Sequence, residues 1–571
     1  MANKKRKKRR SNFLPIIILL LVIAIVAVAL LYVKYSPSKK QMDLNEYFSI
    51  TEEEAAAGYA AVVVNGEILE ERAFLSDGVL YLRTDTVSEY INGRFYWDEN
   101  EQVLIYTTAS DTYKASVGTA DYYISNAINT YTNVIVMESD GNYYINADFI
   151  GENTAVDCIL YEDEVPRAVI NTEYGTKLYS SVNKGNTAVR YQGGVKSDII
   201  TKVSKDAKLE IKEEFDNWYE VLTEDGITGY VRKNAVSTPE EESVVSDYTE
   251  EEYSSVSLDE KVNLTWNQVT NQTANNYITS TLAEAVGINV ISPTWFYLND
   301  NEGNINSIAS SSYVTACHNK GIQVWALVSD FEDTSIDVSK VLNTTTNRER
   351  LESKLISAAI EYKLDGINVD FESIDADTVA SYTQFLREMS ILCRKNSIVL
   401  SVDVVTPAQS PITYDWEEMG VVCDYVILMA YDEHYSGSSA GSVASLSWTR
   451  EGVEALTSYV AAEKTILGVP FYSRLYRIYS DGSVDSETKS MSEANDFMIR
   501  NEVESVYDET TEQNYVELVY NETTYQLWLE DETSMEKRLT IITDNNLAGI
   551  ASWRVGYETN NIWTLISNYL S

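Results

Sequence analysis

The sequence predicts an α/β protein. Its C-terminal half reads as a (β/α)8 barrel with an insertion between strands seven and eight, preceded by a small all-β domain, a small α+β domain and one N-terminal transmembrane helix. Three observations carry this. From residue 258 onward, apolar runs alternate with amphipathic helical patterns, and eight runs stand out: 262–269, 288–298, 322–330, 364–372, 398–407, 424–434, 465–473 and 547–556. Near-continuous apolar strands between helices are the pattern of a parallel sheet covered on both faces. Between residues 55 and 237 the runs are shorter and broken by Asn-Gly and Asp-Gly turns. Residues 14–33 are apolar and uncharged.

The chain begins with a basic cluster, KKRKKRR at 4–10, followed by that apolar run. At about 1.5 Å per residue the run is about as long as a bilayer core is thick. The positive-inside bias keeps residues 1–13 in the cytoplasm and places everything after Lys34 outside, as a single-pass cell-membrane protein. A cleaved signal peptide is the alternative, since Ala27-Val28-Ala29 has a small-x-small form. The apolar run continues through Leu30, Leu31 and Val33, which favours an anchor. Either way the remainder is exported.

The 571 residues hold 44 Lys+Arg against 87 Asp+Glu, a formal charge of −43, and seven of the basic residues fall in the first ten. Such a surface repels phosphate backbones, so nucleic-acid binding is excluded for the bulk of the chain. The 41 Tyr against 12 Phe favour surfaces where a ring packs on one side and meets water on the other, which suits sugars. Cys158, Cys317, Cys393 and Cys423 form no Cys-x-x-Cys pair, and His318 and His434 complete no zinc pattern. No metal and no cofactor are expected.

After the anchor, residues 34–57 read as a polar spacer. The next segment, 55–168, carries Val64-Asn65-Gly66, Asp77-Gly78-Val79-Leu80-Tyr81 and Tyr96-Trp97-Asp98. This layout resembles the N-terminal domain of copper amine oxidases, a stalk module, which implies a spacer or wall-contact role and no copper chemistry. Residues 172–237 end in a strand with Trp218 and Tyr219, a turn at Asp225-Gly226 and the return Gly229-Tyr230-Val231. They resemble a bacterial SH3-like domain, which implies holding a cell-wall ligand. Whether Trp218 contacts that ligand or fills the core of a small barrel stays open. Residues 238–257 are acidic and read as a linker.

In the barrel, 258–571, unusual residues gather at strand C-terminal ends, where barrel active sites lie. Asn368, Asp370 and Glu372 alternate along strand four and share one face, about 7 Å apart, while Asp365 stands at the strand entrance. Tyr431 and Asp432 end strand six, and Trp553 ends strand eight. An insertion at about 476–531 has its own strand pattern. Trp266, Trp295 and Trp325 lie on the first three strands and are undecided between cleft and core.

The run DGINVDFE, Asp365 to Glu372, with MAYDEH at 429–434 and ASWRVG at 551–556, resembles the signature motifs of glycoside hydrolase family 18. The one departure is Asn368, where most chitinases have aspartate; it is similar to the spore-cortex and peptidoglycan-cleaving branch. The resemblance implies cleavage of β-1,4 bonds beside N-acetylglucosamine with retention, the substrate's own acetamide attacking the anomeric carbon. It implies catalytic roles for Glu372 as acid and base, its pKa raised by burial and by Asp370, for Asp370 as stabiliser of the oxazolinium, and for Tyr431 as donor to the acetamido oxygen. Asn368, holding Asp370 from below, joins Asp432, Met429 and Trp553 in the substrate-binding set; Asp365 and Gly366 are structural. The expected partners are an N-acetylglucosamine-containing polysaccharide, the cell wall and the membrane. The alternatives are a catalytically silent wall-binding protein and a chitinase acting on soluble oligosaccharides.

Overall fold

The computed structural model describes residues 13–407 and 414–570, so the basic run at 4–10 lies outside the described residues. Leu14–Tyr35 is a 22-residue helix with Pro15 in its first turn, where a missing N–H breaks no helical bond, and none of its side chains is buried. It is long and apolar enough to cross a membrane.

The described residues divide into two compact units, one drawn from those up to residue 95 with 115–122 and 129–250, the other from 96–114, 123–128 and those after 250. The first holds two seven-stranded sheets. In one, Tyr59–Val64 lies parallel to Arg167–Asn171 and antiparallel to Glu67–Ser76, with the helices Thr84–Tyr90 and Ala147–Asn153 alongside. The other is an antiparallel sheet in which Trp218–Thr223 pairs with both Lys208–Glu214 and Thr228–Arg232. Buried Arg167 links the two modules, giving Nε–H to the Asp225 carbonyl at 2.7 Å and pairing with the Asp225 carboxylate at 2.9 Å.

Two expectations change here. The spacer is not structureless: Leu44–Tyr47 and Glu52–Ala56 are short helices, the second closed by a capping box from Thr51 to Glu54. Phe48 and Ile50 are fully buried, and the Arg167 guanidinium lies 5.0 Å from the Phe48 ring centre. Their apolar side chains pull a polar stretch onto the core. The acidic linker begins as a strand, Glu240–Val244, paired with Gly175–Ser181. A sheet edge is bonded through backbone groups, so a row of glutamates serves there and keeps the edge soluble. Within the 55–168 module, residues 96–114 make their contacts with the barrel unit: Asp98 accepts the Thr345 N–H at 2.6 Å, and the Arg348 guanidinium lies 4.8 Å from the Tyr96 ring centre.

In the second unit eight parallel strands close into a barrel: β1 Val262–Asn267, β2 Val290–Leu298, β3 Gln323–Ser329, β4 Gly366–Asp370, β5 Val399–Val405, β6 Tyr425–Met429, β7 Thr465–Pro470 and β8 Gly549–Trp553. β1 pairs with both β2 and β8, which completes the closure. Every position of β4, β6 and β7 is buried, as the apolar runs require when one face fills the barrel and the other meets helices.

The insertion starts at once after β7. It is a five-stranded antiparallel sheet of Tyr472–Ile478, Val484–Ser490, Val506–Asp508, Gln513–Tyr520 and Thr523–Trp528 with the helix Met491–Asn501. Both its ends are fixed. The Glu530 N–H donates to Ser473 Oγ at 2.8 Å, and the buried Glu530 carboxylate pairs with buried Arg538 at 2.5 Å. Gln513 and Ser534 also donate to that carboxylate, so the buried charges are hydrogen-bonded throughout.

Candidate active site

The DG of the β4 motif is structural. A side chain at Gly366 would put its Cβ 2.6 Å from the Trp325 indole, so the strand can lie against that ring only with glycine. Asp365, just ahead of β4, accepts the Val324 N–H at 2.8 Å and lies 2.8 Å from His318 Nε2. It sits at the strand entrance, away from the cleft.

At the other end of the barrel a cavity of about 700 Å³ opens, lined by Asp370, Glu372, Glu332, Tyr431, Asp432, Met429, Tyr472 and Trp553 among others. A larger cavity, about 1050 Å³, lies in the N-terminal unit and holds none of the carboxyl groups named above. All three catalytic expectations thus share one cleft, together with three of the four substrate-binding ones. Asp370 is buried, while Glu372, two residues past the end of β4, is open to the cleft. The Tyr431 ring meets those of Trp266 and Tyr472 edge-on, at 6.4 and 6.5 Å between centres, and Trp553 lies 5.9 Å from Trp266. Asp432 adopts a left-handed backbone, φ 61°, and accepts the Tyr472 O–H at 2.5 Å, with Arg474 at 3.7 Å. A non-glycine residue in that region signals a conformation held by its surroundings.

Asn368 is the exception. It is fully buried below the cleft and is not among the residues that line it. Its amide holds Asp403 on β5, not Asp370: Nδ2–H donates to Asp403 Oδ1 at 2.8 Å, while Oδ1 accepts from Trp266 Nε1 at 3.0 Å and Ser292 Oγ at 3.1 Å. Trp266, Trp295 and Trp325 are likewise core, each at most 1% exposed.

Sequence reasoning missed Asp330, Asp403, Tyr472 and Arg474. Asp330 follows the last residue of β3, and its two carboxylate oxygens accept the N–H groups of Glu372 at 2.9 Å and Ser373 at 3.0 Å. Asp403 had a signal: a lone acid inside the apolar run of β5. Tyr472 and Arg474 had none, since they enter from the insertion.

The carboxyl groups raise one another's pKa. Withdrawal from water raises that of Glu372, and the charges of Asp330, Asp432 and Glu332 add to it. The raised Glu372 is as expected, and its repulsion with Asp370, which raises Asp370, is shared by the two carboxyls as an interacting pair. Asp370 is driven well above the usual carboxylate range by burial, then by Asp403, Glu372, Asp330 and Glu332. Burial raises Asp403 as well, opposed by the hydrogen bond from Asn368. Burial also raises Tyr431, so it stays a neutral O–H donor. The arrangement can deliver a proton from Glu372 beside a buried carboxyl and a phenol.

A family model described as glycosyl hydrolases family 18 matches residues 227–558. The chain belongs to glycosyl hydrolases family 18. Within that family-18 chain, residues 185–237 match the bacterial SH3 domain model and residues 63–164 the copper amine oxidase N-terminal domain model. The family-18 chain is 26% identical over 293 residues to the uncharacterized glycosylase YvbX of Bacillus subtilis, covering 49% of this chain and 84% of that protein. It is 26% identical over 237 residues to the cortical fragment-lytic enzyme of Bacillus subtilis, covering 40% of this chain and 55% of the relative, so it spans about half that protein's length. The crystal structure of the Bacillus cereus spore cortex-lytic enzyme SleL shares the fold, with a TM-score of 0.51 at 17% identity over 55% of this chain and 74% of that one.

Proposed function

We propose that this glycosidase cleaves β-1,4 bonds beside N-acetylglucosamine in peptidoglycan, with retention of anomeric configuration and with the substrate's acetamide as nucleophile. The observation that carries this is the contrast between two neighbouring carboxyls: Glu372 open to the cleft and Asp370 buried in its floor, its Oδ1 without a hydrogen-bond partner among the described residues. A carboxylate in the floor is badly placed to attack the sugar, yet well placed to take the acetamido N–H and to stabilise positive charge on it. Glu372, its pKa raised, protonates the leaving oxygen and then activates water. Tyr431 donates to the acetamido oxygen, Trp553 floors the reacting sugar, and Met429 and Asp432 bind it.

Peptidoglycan is favoured by the cortical fragment-lytic relative and by the SH3-like module. In that module Trp218 lies on the open face of its strand while Tyr219 faces the core. Tyr191, Phe215, Trp218 and Tyr230 line a depression of about 580 Å³, an aromatic surface suited to holding a wall ligand. The apolar helix would fix the protein to the outer side of the cell membrane.

The test is product analysis with purified protein and Glu372→Gln. New reducing ends from peptidoglycan, of retained configuration, are expected, with turnover down by about 10² to 10⁴ in the variant. Binding without cleavage would make the protein a lectin, and cleavage of chitin oligosaccharides alone would make it a chitinase. Inverted products, or a Glu372→Gln variant near wild-type rate, would refute the mechanism.

A further inference from the structure

The carboxylate that β4 lacks at Asn368 is met on the neighbouring strand. In the parallel pairing of β4 with β5, Asn368 stands beside Ser401 and Val369 beside Val402. The next residues along, Asp370 and Asp403, are therefore neighbours on the interior face. Both are buried, and Asp370 Oδ1 and Asp403 Oδ2 are each buried with no hydrogen-bond partner among the described residues. The other oxygen of Asp403 is held by the Asn368 amide, whose orientation is fixed because its own oxygen accepts from Trp266 and Ser292. Two adjacent carboxyls in a dry interior do not both ionise, and one shared proton satisfies both unpaired oxygens.

We infer that Asp403 is a positioning residue that shares one proton with Asp370 and takes it over as positive charge develops on the bound sugar. In the resting site the amide N–H of Asn368 favours the charge on Asp403, which leaves the proton on Asp370. The transfer breaks one O–H bond on Asp370 and forms one on Asp403. The pair keeps a net charge of −1, and that charge moves to the cleft side. The other titratable groups acting on the pair are Glu372 after β4, Asp330 and Glu332 after β3, Tyr431 after β6, and Tyr382 and Tyr414. This inference rests on the substrate-assisted reading above.

The experiment compares wild type, Asp403→Asn and the double variant Asn368→Asp/Asp403→Asn on one N-acetylglucosamine glycan over a range of pH. Asp403→Asn is expected to lower kcat by about 10²-fold with KM little changed. Its residual rate should climb with pH, because Asp370 must then lose its proton to solvent. The double variant returns a carboxylate across the 2.8 Å hydrogen bond and should recover about tenfold of that loss. An Asp403→Asn variant with wild-type kcat and pH profile overturns the inference. So does a loss equal at every pH that the double variant leaves unrelieved, since that is a structural role only. Should Asp403→Asn not fold, infrared difference spectra of wild type against Asp370→Asn decide: a protonated-carboxyl band lost in the variant is expected, and its absence overturns the sharing. A wild type that hydrolyses no glycan overturns the underlying reading, whereas an active wild type beside an indifferent Asp403→Asn overturns this inference alone.

Discussion

The carboxylate of Asp330 grips the backbone of Glu372 and not its side chain, taking the N–H groups of Glu372 and Ser373 on its two oxygens. One carboxylate from the end of β3 thereby fixes the turn that carries the proposed acid from the end of β4. Asp330→Ala frees that turn, and a shift of about 1 Å in a catalytic group is worth roughly 10²-fold in rate. kcat should fall on that scale while substrate binding changes little. Asp330→Asn tests the charge separately. Asp330 raises the Glu372 pKa, so without it Glu372 ionises at lower pH. The alkaline limb of kcat/KM should move toward acid, and an unmoved limb would mean that Asp330 acts by geometry alone.

Asp370 also sets a stability signature. Its folded pKa lies well above the ordinary carboxylate value, so between the two the folded protein binds more protons than the unfolded chain. Unfolding free energy is then greatest below the unfolded pKa, about 4, and falls as pH rises through the folded value. Asp370→Asn removes this loss. Its Tm should exceed that of the wild type at neutral pH, with the gain vanishing as the pH approaches 4 in thermal scans. A deficit at neutral pH would show that the buried site does not resist ionisation.

Truncation separates anchor from fold. Removing residues 1–35 takes away a helix with no buried side chain and should leave a soluble, active protein. Removing residues 1–58 also takes away Phe48 and Ile50, both buried in the N-terminal unit. Loss of a large buried side chain costs about 2 to 5 kcal/mol, so the longer deletion should unfold that unit early in calorimetry. Equal stability of the two truncations would contradict the packed spacer.

Trp218→Ala tests the wall contact. The residue is half-buried on the open face of its sheet, so its loss should leave the module folded. Retention on isolated cell walls should drop, with turnover of a small soluble substrate unchanged. Parallel loss of both would return Trp218 to a structural role.

The barrel was legible because its strands are apolar without interruption, and each of the eight expected runs contains one strand. The placement of the polar groups of the β4 segment was legible through the alternation of Asn368, Asp370 and Glu372, since inward-facing polar groups in an apolar strand need a reason. The partner of Asn368 was not. A side-chain amide turns toward whichever neighbour completes its hydrogen bonds, and that neighbour, Asp403, lies 35 residues on. The strand Glu240–Val244 was hidden for another reason. Its bonds are backbone bonds, and its glutamates are read as linker by any measure based on side chains. Phe48 and Ile50 were hidden by polar surroundings.

The pinned ends of the insertion turn its far side into a place where the chain can be altered. Ser473 and Glu530, 57 residues apart, are joined by a hydrogen bond, so the loop between them is already closed. Lengthening a closed flexible loop is cheap, about 0.6 kcal/mol for each doubling. Added residues disturb most where they meet packed neighbours, and at Gly482 a Cβ would meet no atom within 4 Å. That turn offers an attachment point for a fluorophore or an affinity tag, through which the enzyme could be followed on living cells.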